Sequence, residues 1–516
     1  MADAVDNHVD NGAYPRRFRS AEARGRRIGR PLRLLGRVRG VDEALLDRIG
    51  RAFFEQDDAG AALAAAMRLP PGDPDRVTRA QLTASLAHPD LDAVVGPLRG
   101  ARIGPVHGAG SEIGSLHDPQ RETGPLHDPQ RETGPLHDPQ REFGRLPRDR
   151  SIDGPISRQP TELDARAQQV TESGAQDTPP AHPADPAHPA DQRPTALQSF
   201  LAAVTAVPDW VDWELMDEGA AVLRRLGQNA ADVLLQLSLV GGYRFGGPTD
   251  LLVATGALTG DTLRRLADTQ EWTVGLSEPG ALRVGGPAWR ATVRVRVMHA
   301  LVGASFTGDE ASPGPAARPW DTARWGLPVN QADQAATLGL FDGTVVLGCR
   351  ALGVPVPPSD SRALMHLWKW VGHLLGVHPD FLVDDEWARH RLNHHVLLAQ
   401  AGVSDAGPLL AQALVTAQAD RTYPGPVWWQ PWRAGYERER LLSMLTAFLG
   451  VRSMRELGLP LRPPWAHAYL VPLNTWRYRV RGRGARGRAR LDRWGRRRSD
   501  RILASYQTCR TPRSRG

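Results

Sequence analysis

The sequence predicts an all-α protein, and three observations carry that reading. Apolar residues recur at three- and four-residue steps in most apolar segments, which is the repeat of a helix with one buried face. Residues able to accept an orphan amide hydrogen stand just before several of those segments: Thr259, Asn330 and Ser359. Alternating apolar and polar residues are scarce, "LSEPGALRVGG" at 276–286 being the one candidate for a short hairpin.

Taken in chain order, residues 1–39 form a basic, flexible N-terminus. Residues 40–69 place Leu45, Ile49, Phe53 and Phe54 on one side of a helix, and with 78–98 they predict a helical hairpin over 40–100. About sixty residues of hairpin are marginal alone, so it is expected to pack on the larger core. From 101 to 195 the composition changes. "HDPQRETGPL" repeats with His117, His127 and His137 in equivalent places, and "PPAHPADPAHPADQRP" follows, so disorder and a proline-stiffened linker are predicted. Histidines ten apart on such a chain have no preset geometry for a metal. Helical segments then resume at 194–204, 213–243, 259–276, 289–305, 330–353, 359–377 and 386–402, within a helical domain spanning 196–475. Residues 476–516 are an arginine-rich tail.

The charge is uneven. Ten arginines fall in the first forty residues, and fifteen in 476–516 against two aspartates, which leaves the middle net acidic. The tail, with Trp476, Tyr478 and Trp494 interspersed, has the composition of a polyanion or acidic-membrane contact, and Arg-Gly runs of this kind are expected to be flexible. Two cysteines, Cys349 and Cys509, exclude a disulfide framework and a cysteine-based zinc site, and a reducing, cytoplasmic setting is expected. Arg16 and Arg17 are followed by no apolar export region, and no run of about eighteen apolar residues predicts a membrane span. No GxGxxG with its acidic partner, P-loop or GxSxG is present, so nucleotide-cofactor and serine-hydrolase classes lack support.

The segment 289–305 poses the chemical question. A helix there aligns Thr292, Arg296, His299 and Gly303 on one stripe amid Val293, Val297 and Ala300, and a helix apolar over most of its circumference is expected to be buried. Burying Arg296 and His299 requires partners. A core histidine bonded to a carbonyl is the ordinary outcome. Against it, Gly303 clears space one turn on, where a flat macrocycle would approach, and Arg296 one turn back is a permanent cation suited to a propionate. Neutral imidazole is a good axial ligand for heme iron.

The chain from about 208 to 402 resembles the heme-containing rubber oxygenase (latex-clearing protein) family, which shares its catalytic domain with the ER-bound oxygenase of mycophenolic acid biosynthesis. The resemblance rests on "VPDWVDW" (207–213), "TGALTGDTLRRLADTQEW" (255–272), "VRVRVMHALVG" (293–303), "WGLPVNQADQAATLGLF" (325–341) and "HLWKWVGHLLGV" (366–377), in order and in register. It implies a globin-like multi-helix core, b-type heme, His299 as the proximal iron ligand and Arg296 beside it. On the distal side it implies Arg265 and Thr269, which keep their places in an R-x-x-K-T motif whose lysine is Asp268 here. An ammonium donates, whereas a carboxylate only accepts, and the acidic base of rubber-cleaving members falls at Thr249. Polyisoprene is therefore an unsuitable substrate. The expected activity is oxygenation or oxidation of a small apolar molecule (terpenoid, polyketide or lipid-like) with dioxygen or peroxide, an electron donor being left open. A non-enzymatic helical binder acting through its arginine tail is the alternative.

Other groupings compete. Glu386, His390 and His394 lie four apart, which is ligand spacing, but the sequence is not HExxH and a solvated face is the plainer expectation. His366 and His373 flank Trp370, and His373 rivals His299 for iron. The loop "YPGPVWWQPW" at 423–432 is expected to plug a gap between helices, with a lid or contact surface as the other reading.

Overall fold

A helix buried along most of its length organises the molecule. The computed structural model describes residues 12–88, 194–256, 262–307 and 318–506, and among them every regular element is helical. These residues fall in one compact unit made from 1–102 and 193–516. The central helix, Pro358–Leu374, begins with a proline whose missing N–H costs nothing at that position, one residue before the predicted Ser359 cap. It buries Leu364, Leu367, Trp368, Trp370 and Val371 at once. Helix Trp213–Leu226, capped by Asp212 through the amides of Glu214 and Leu215, crosses it. Gly219 permits the approach, since a Cβ there would sit 2.4 Å from the carbonyl oxygen of Ala363. Two buried indoles find acceptors, Trp370 donating to Leu282 O at 3.0 Å and Trp289 to Val204 O at 3.1 Å, whereas Trp368 Nε1 has none among the described residues.

Several expected helices break. The segment 213–243 divides at Gly227, whose φ of 50° ends one helix before Gln228–Val233 continues into a π-helical stretch at Leu234–Val240. The segment 330–353 divides at Asp342 into Gln331–Phe341, capped by Asn330, and Gly343–Ala351, capped by Asp342 itself. The expected hairpin at 276–286 is a series of turns, with Gly280 and Gly285 at positive φ and Ala281 O accepting from both Ala288 N and Trp289 N.

Both basic ends depart from expectation. Residues from 12 onward are folded: helices Glu22–Ile28 and Arg30–Leu35 lie against Glu386–Ala399, where Gly25 and Gly29 leave room for Leu397 and His394. Arg17 is fully buried, paired with Asp333 at 2.6 Å and placed 4.0 Å over the Phe53 ring. At the other end, Gly484–Ala504 is a 21-residue helix rather than a flexible tail. It buries Leu491, Gly495 and Ile502, and a Cβ on Gly495 would lie 1.9 Å from Arg224 O. The arginines were read for their charge, but the small and apolar residues at 487, 491, 495 and 502 share the opposite face and dock the helix.

Candidate functional site around the histidine helix

The helix carrying His299 runs Pro287–Ala304, with proline in its first turn. Its inner face buries Trp289, Thr292, Val293, Arg296 and Val297. It is not enclosed all round: Met298 is 51% exposed, and Val295, His299, Leu301 and Val302 are half-buried, so an apolar flank beside the histidine faces outward.

Arg296 receives a partner that nothing in its own segment announces. Asp57 stands at the N-cap of helix Asp58–Arg68, where an aspartate ordinarily accepts from its own helix's amides; here it does not. Its two carboxylate oxygens take Nε and Nη2 of Arg296, each at 2.7 Å, a planar fork-to-fork pair. Glycines close over it. A Cβ on Gly60 would lie 2.2 Å from Asp57 Oδ2, and one on Gly376 (φ 80°) 2.8 Å from Arg296 Nε. Arg296, read from the sequence as a propionate anchor, is thus half of a buried ion pair.

His299 lies one turn beyond. Its Nδ1 is enclosed and has no hydrogen-bond partner. Burial lowers its pKa to about 4, against the pull of the Asp57 carboxylate, so the ring is neutral near pH 7. His373 flanks the pair from the central helix. Burial first, then the charge of Arg296, brings it to about 4 against a backbone bond at Ala206; its Nε2 has no partner, and the ring stacks on Trp370 at 5.3 Å. Two neutral imidazoles with uncommitted nitrogens therefore lie near Asp57 and Arg296. An enclosed nitrogen of that kind fits an axial ligand of heme iron. Gly303 is less telling than its position suggests, because a Cβ there would meet only Pro328 O at an ordinary 3.5 Å.

Arg265 and Thr269 share the exposed face of helix Thr262–Gly275, Thr269 donating its hydroxyl to Arg265 O at 2.9 Å. The guanidinium of Arg265 has no ion-pair partner among the described residues. That helix reaches the histidine helix through Trp272, whose Nε1 donates to Thr292 Oγ1 at 3.0 Å. Asp268 is exposed, and Thr249 is buried with its hydroxyl on Phe245 O at 2.5 Å. A shallow cleft between Trp213, Met216, Leu276, Leu282 and Arg283 includes none of these groups.

In the stripe Glu386, His390, His394 the two histidines are buried and the glutamate half-buried, rather than all solvated. His390 Nε2 meets Glu386 at 2.9 Å, Ser361 donates to the same carboxylate at 2.6 Å, and Arg350 pairs with it. Burial opposes ionisation of Glu386, but the bonds from His390, Arg350 and Ser361 outweigh it and hold the acid at about 2. Among the described residues no three or more His, Cys, Asp or Glu side chains gather as a metal-ligand set. The stripe braces the helix, with Arg389 and Asp342 forming a second fully buried pair 2.7 Å apart next to it.

The family described as the ER-bound oxygenase mpaB/B'/rubber oxygenase catalytic domain matches residues 224–486, just over half of the chain. The protein belongs to that oxygenase family, and His299, Arg296, Arg265 and Thr269 lie inside the matched segment, whereas Asp57 lies outside it. No curated protein matches the chain. A solved structure of latex clearing protein in the closed state is similar at 18% identity over 60% of this chain and 80% of that one, with a TM-score of 0.40.

Proposed function

We propose that the protein is a heme b-dependent oxygenase or oxidoreductase of a small apolar substrate other than polyisoprene, with His299 as the iron ligand. One observation carries the reading: within the segment that matches an oxygenase family, a neutral imidazole with an enclosed, uncommitted nitrogen stands beside an outward apolar flank. Heme, when bound, would supply the activation of dioxygen or peroxide.

The protein's own residues would do the rest. The Asp57–Arg296 pair fixes the helix one turn before His299, so the ring is held by its backbone rather than by a hydrogen bond. Met298, Leu301 and Val302 would take an apolar substrate. Arg265 would stabilise developing negative charge, and Thr269 would pass a proton only once its hydroxyl turned away from Arg265 O, to which it now donates. Replacement of the motif lysine by Asp268 removes one donor, which is why polyisoprene cleavage is left out of the reading.

The test is an optical spectrum of the full chain after hemin reconstitution. A Soret band that His299→Ala abolishes and His373→Ala retains supports the assignment; loss with His373→Ala alone transfers the ligand to that residue. A folded protein that stays colourless overturns it and favours a non-enzymatic binder.

A further inference from the structure

The loop at 423–432 does not plug a gap. It is held rigidly at the surface: Gln430 accepts from Tyr423 N at 2.8 Å and donates to Tyr423 O at 2.6 Å, tying its two ends together. The side chains between those ties point outward, Val427 86% and Trp428 79% exposed, and Trp432 just beyond is 59% exposed.

The rings form a ladder. Trp428 stacks on Trp429 at 6.0 Å, Trp429 approaches Trp432 at 5.5 Å, Trp432 stacks on Tyr436 at 5.8 Å, and Tyr436 meets Trp465 at 5.7 Å. Helix Trp465–Trp476 then continues the stripe. Trp465, Tyr469, Leu473, Trp476 and Val480 follow one another at steps of three and four, and the last three are exposed. Val480 sits on the π-helical extension Arg477–Arg481 and is 62% exposed.

Along the second half of this stripe the charge has one sign. From residue 457 to 491 the sequence holds eight arginines and no acidic residue. Arg479, Arg481 and Arg483 are exposed beside Val480, and Arg481 lies 5.0 Å from the Trp476 ring. None of the three has a carboxylate partner among the described residues.

We infer that Val427, Trp428, Trp432, Leu473, Trp476 and Val480, with Arg479, Arg481 and Arg483, form a peripheral docking surface for an anionic lipid bilayer. Indoles favour the boundary between head groups and acyl chains, aliphatic side chains favour the hydrocarbon, and unpaired arginines favour acidic head groups. Nucleic acid is the poorer occupant because the rings stack on one another rather than standing free for bases, and valine and leucine offer no stacking face. A second copy would bring like charges together. Contact is confined to the surface, since no helix among the described residues is long and apolar enough to cross a membrane.

Flotation of the full chain with phosphatidylcholine vesicles, with and without phosphatidylglycerol, tests this. Binding is expected with phosphatidylglycerol and should weaken at least about tenfold in Trp428→Ser/Trp432→Ser. It should weaken about fivefold for each of Arg481→Gln and Arg483→Gln at low salt, with unchanged melting temperatures. Failure to float with phosphatidylglycerol overturns the inference. So does flotation that the tryptophan variant leaves intact, or that a single-stranded oligonucleotide abolishes in proportion to arginine contacts alone. Vesicle-independent self-association lost in the tryptophan variant, with no flotation, assigns the surface to a second copy instead.

Discussion

Asp57 commits both carboxylate oxygens to Arg296 and leaves its own helix without a side-chain cap. Removing one partner of a buried pair strands the other charge, at a cost of about 3–5 kcal/mol, whereas replacing both with apolar groups costs much less. Urea denaturation should therefore show Asp57→Ala destabilised by about 3–5 kcal/mol, and Asp57→Ala/Arg296→Met less destabilised than the sum of the single changes. Additive effects would mean that the two side chains do not interact. Half of this centre was legible in the sequence. An arginine and a histidine one turn apart in an apolar helix announce a demand for partners, and the resemblance supplied the ligand role. Asp57 was hidden because it lies 239 positions away and reads as one more surface acid before an alanine-rich helix. Arg296 was assigned to a propionate because the sequence shows a cation and not what faces it.

At the level of elements, periodicity located the helices, while their breaks and the Ser359 cap escaped, Ser359 lying inside its helix and the expected Thr259 cap falling outside the described residues. Asn330 capped as expected, but Gly227 and Asp342 interrupt apolar patterns that continue in register on either side. The arginine-rich helix Gly484–Ala504 escaped for a different reason: its docking uses glycine, a residue that lowers helix propensity and suggests looseness. Where a glycine exists to let backbones touch, a side chain acts as a wedge. Gly495→Val should lift this helix off Trp213–Leu226, cost about 1–3 kcal/mol, and speed tryptic removal of the C-terminal arginines, whereas Gly484→Ala, where a Cβ meets no neighbour, serves as the local comparison despite its own backbone strain. Equal cleavage rates for Gly495→Val and the unaltered chain would show that the docking is not tight.

Across the whole molecule, burial depresses a set of histidines together. His299 and His373 fall to about 4, and His366, His394, His395 and His467 are lowered as well, desolvation being the largest cause for each. A group whose folded pKa is depressed contributes its full stability above its unfolded value and loses it as pH falls through the folded one. Melting temperature should then decline as pH drops from about 7 to about 4, and His373→Phe should flatten the decline. A profile flat across that window would show that these rings remain hydrated. Composition at this scale was informative about charge but not about folding. Both basic ends read as flexible, yet Arg17 and the glycines at 25 and 29 tie one end inward, and Leu491 and Ile502 tie the other.

The partner of Arg296 precedes the ten-residue repeat, and the histidine it steadies follows it. Loop-closure entropy grows only slowly with length, so a unit of that repeat gained or lost would be expected to leave the pairing across space nearly as favourable. Loss of the one carboxylate at position 57, by contrast, would strand a cation on a helix 239 positions further along the chain.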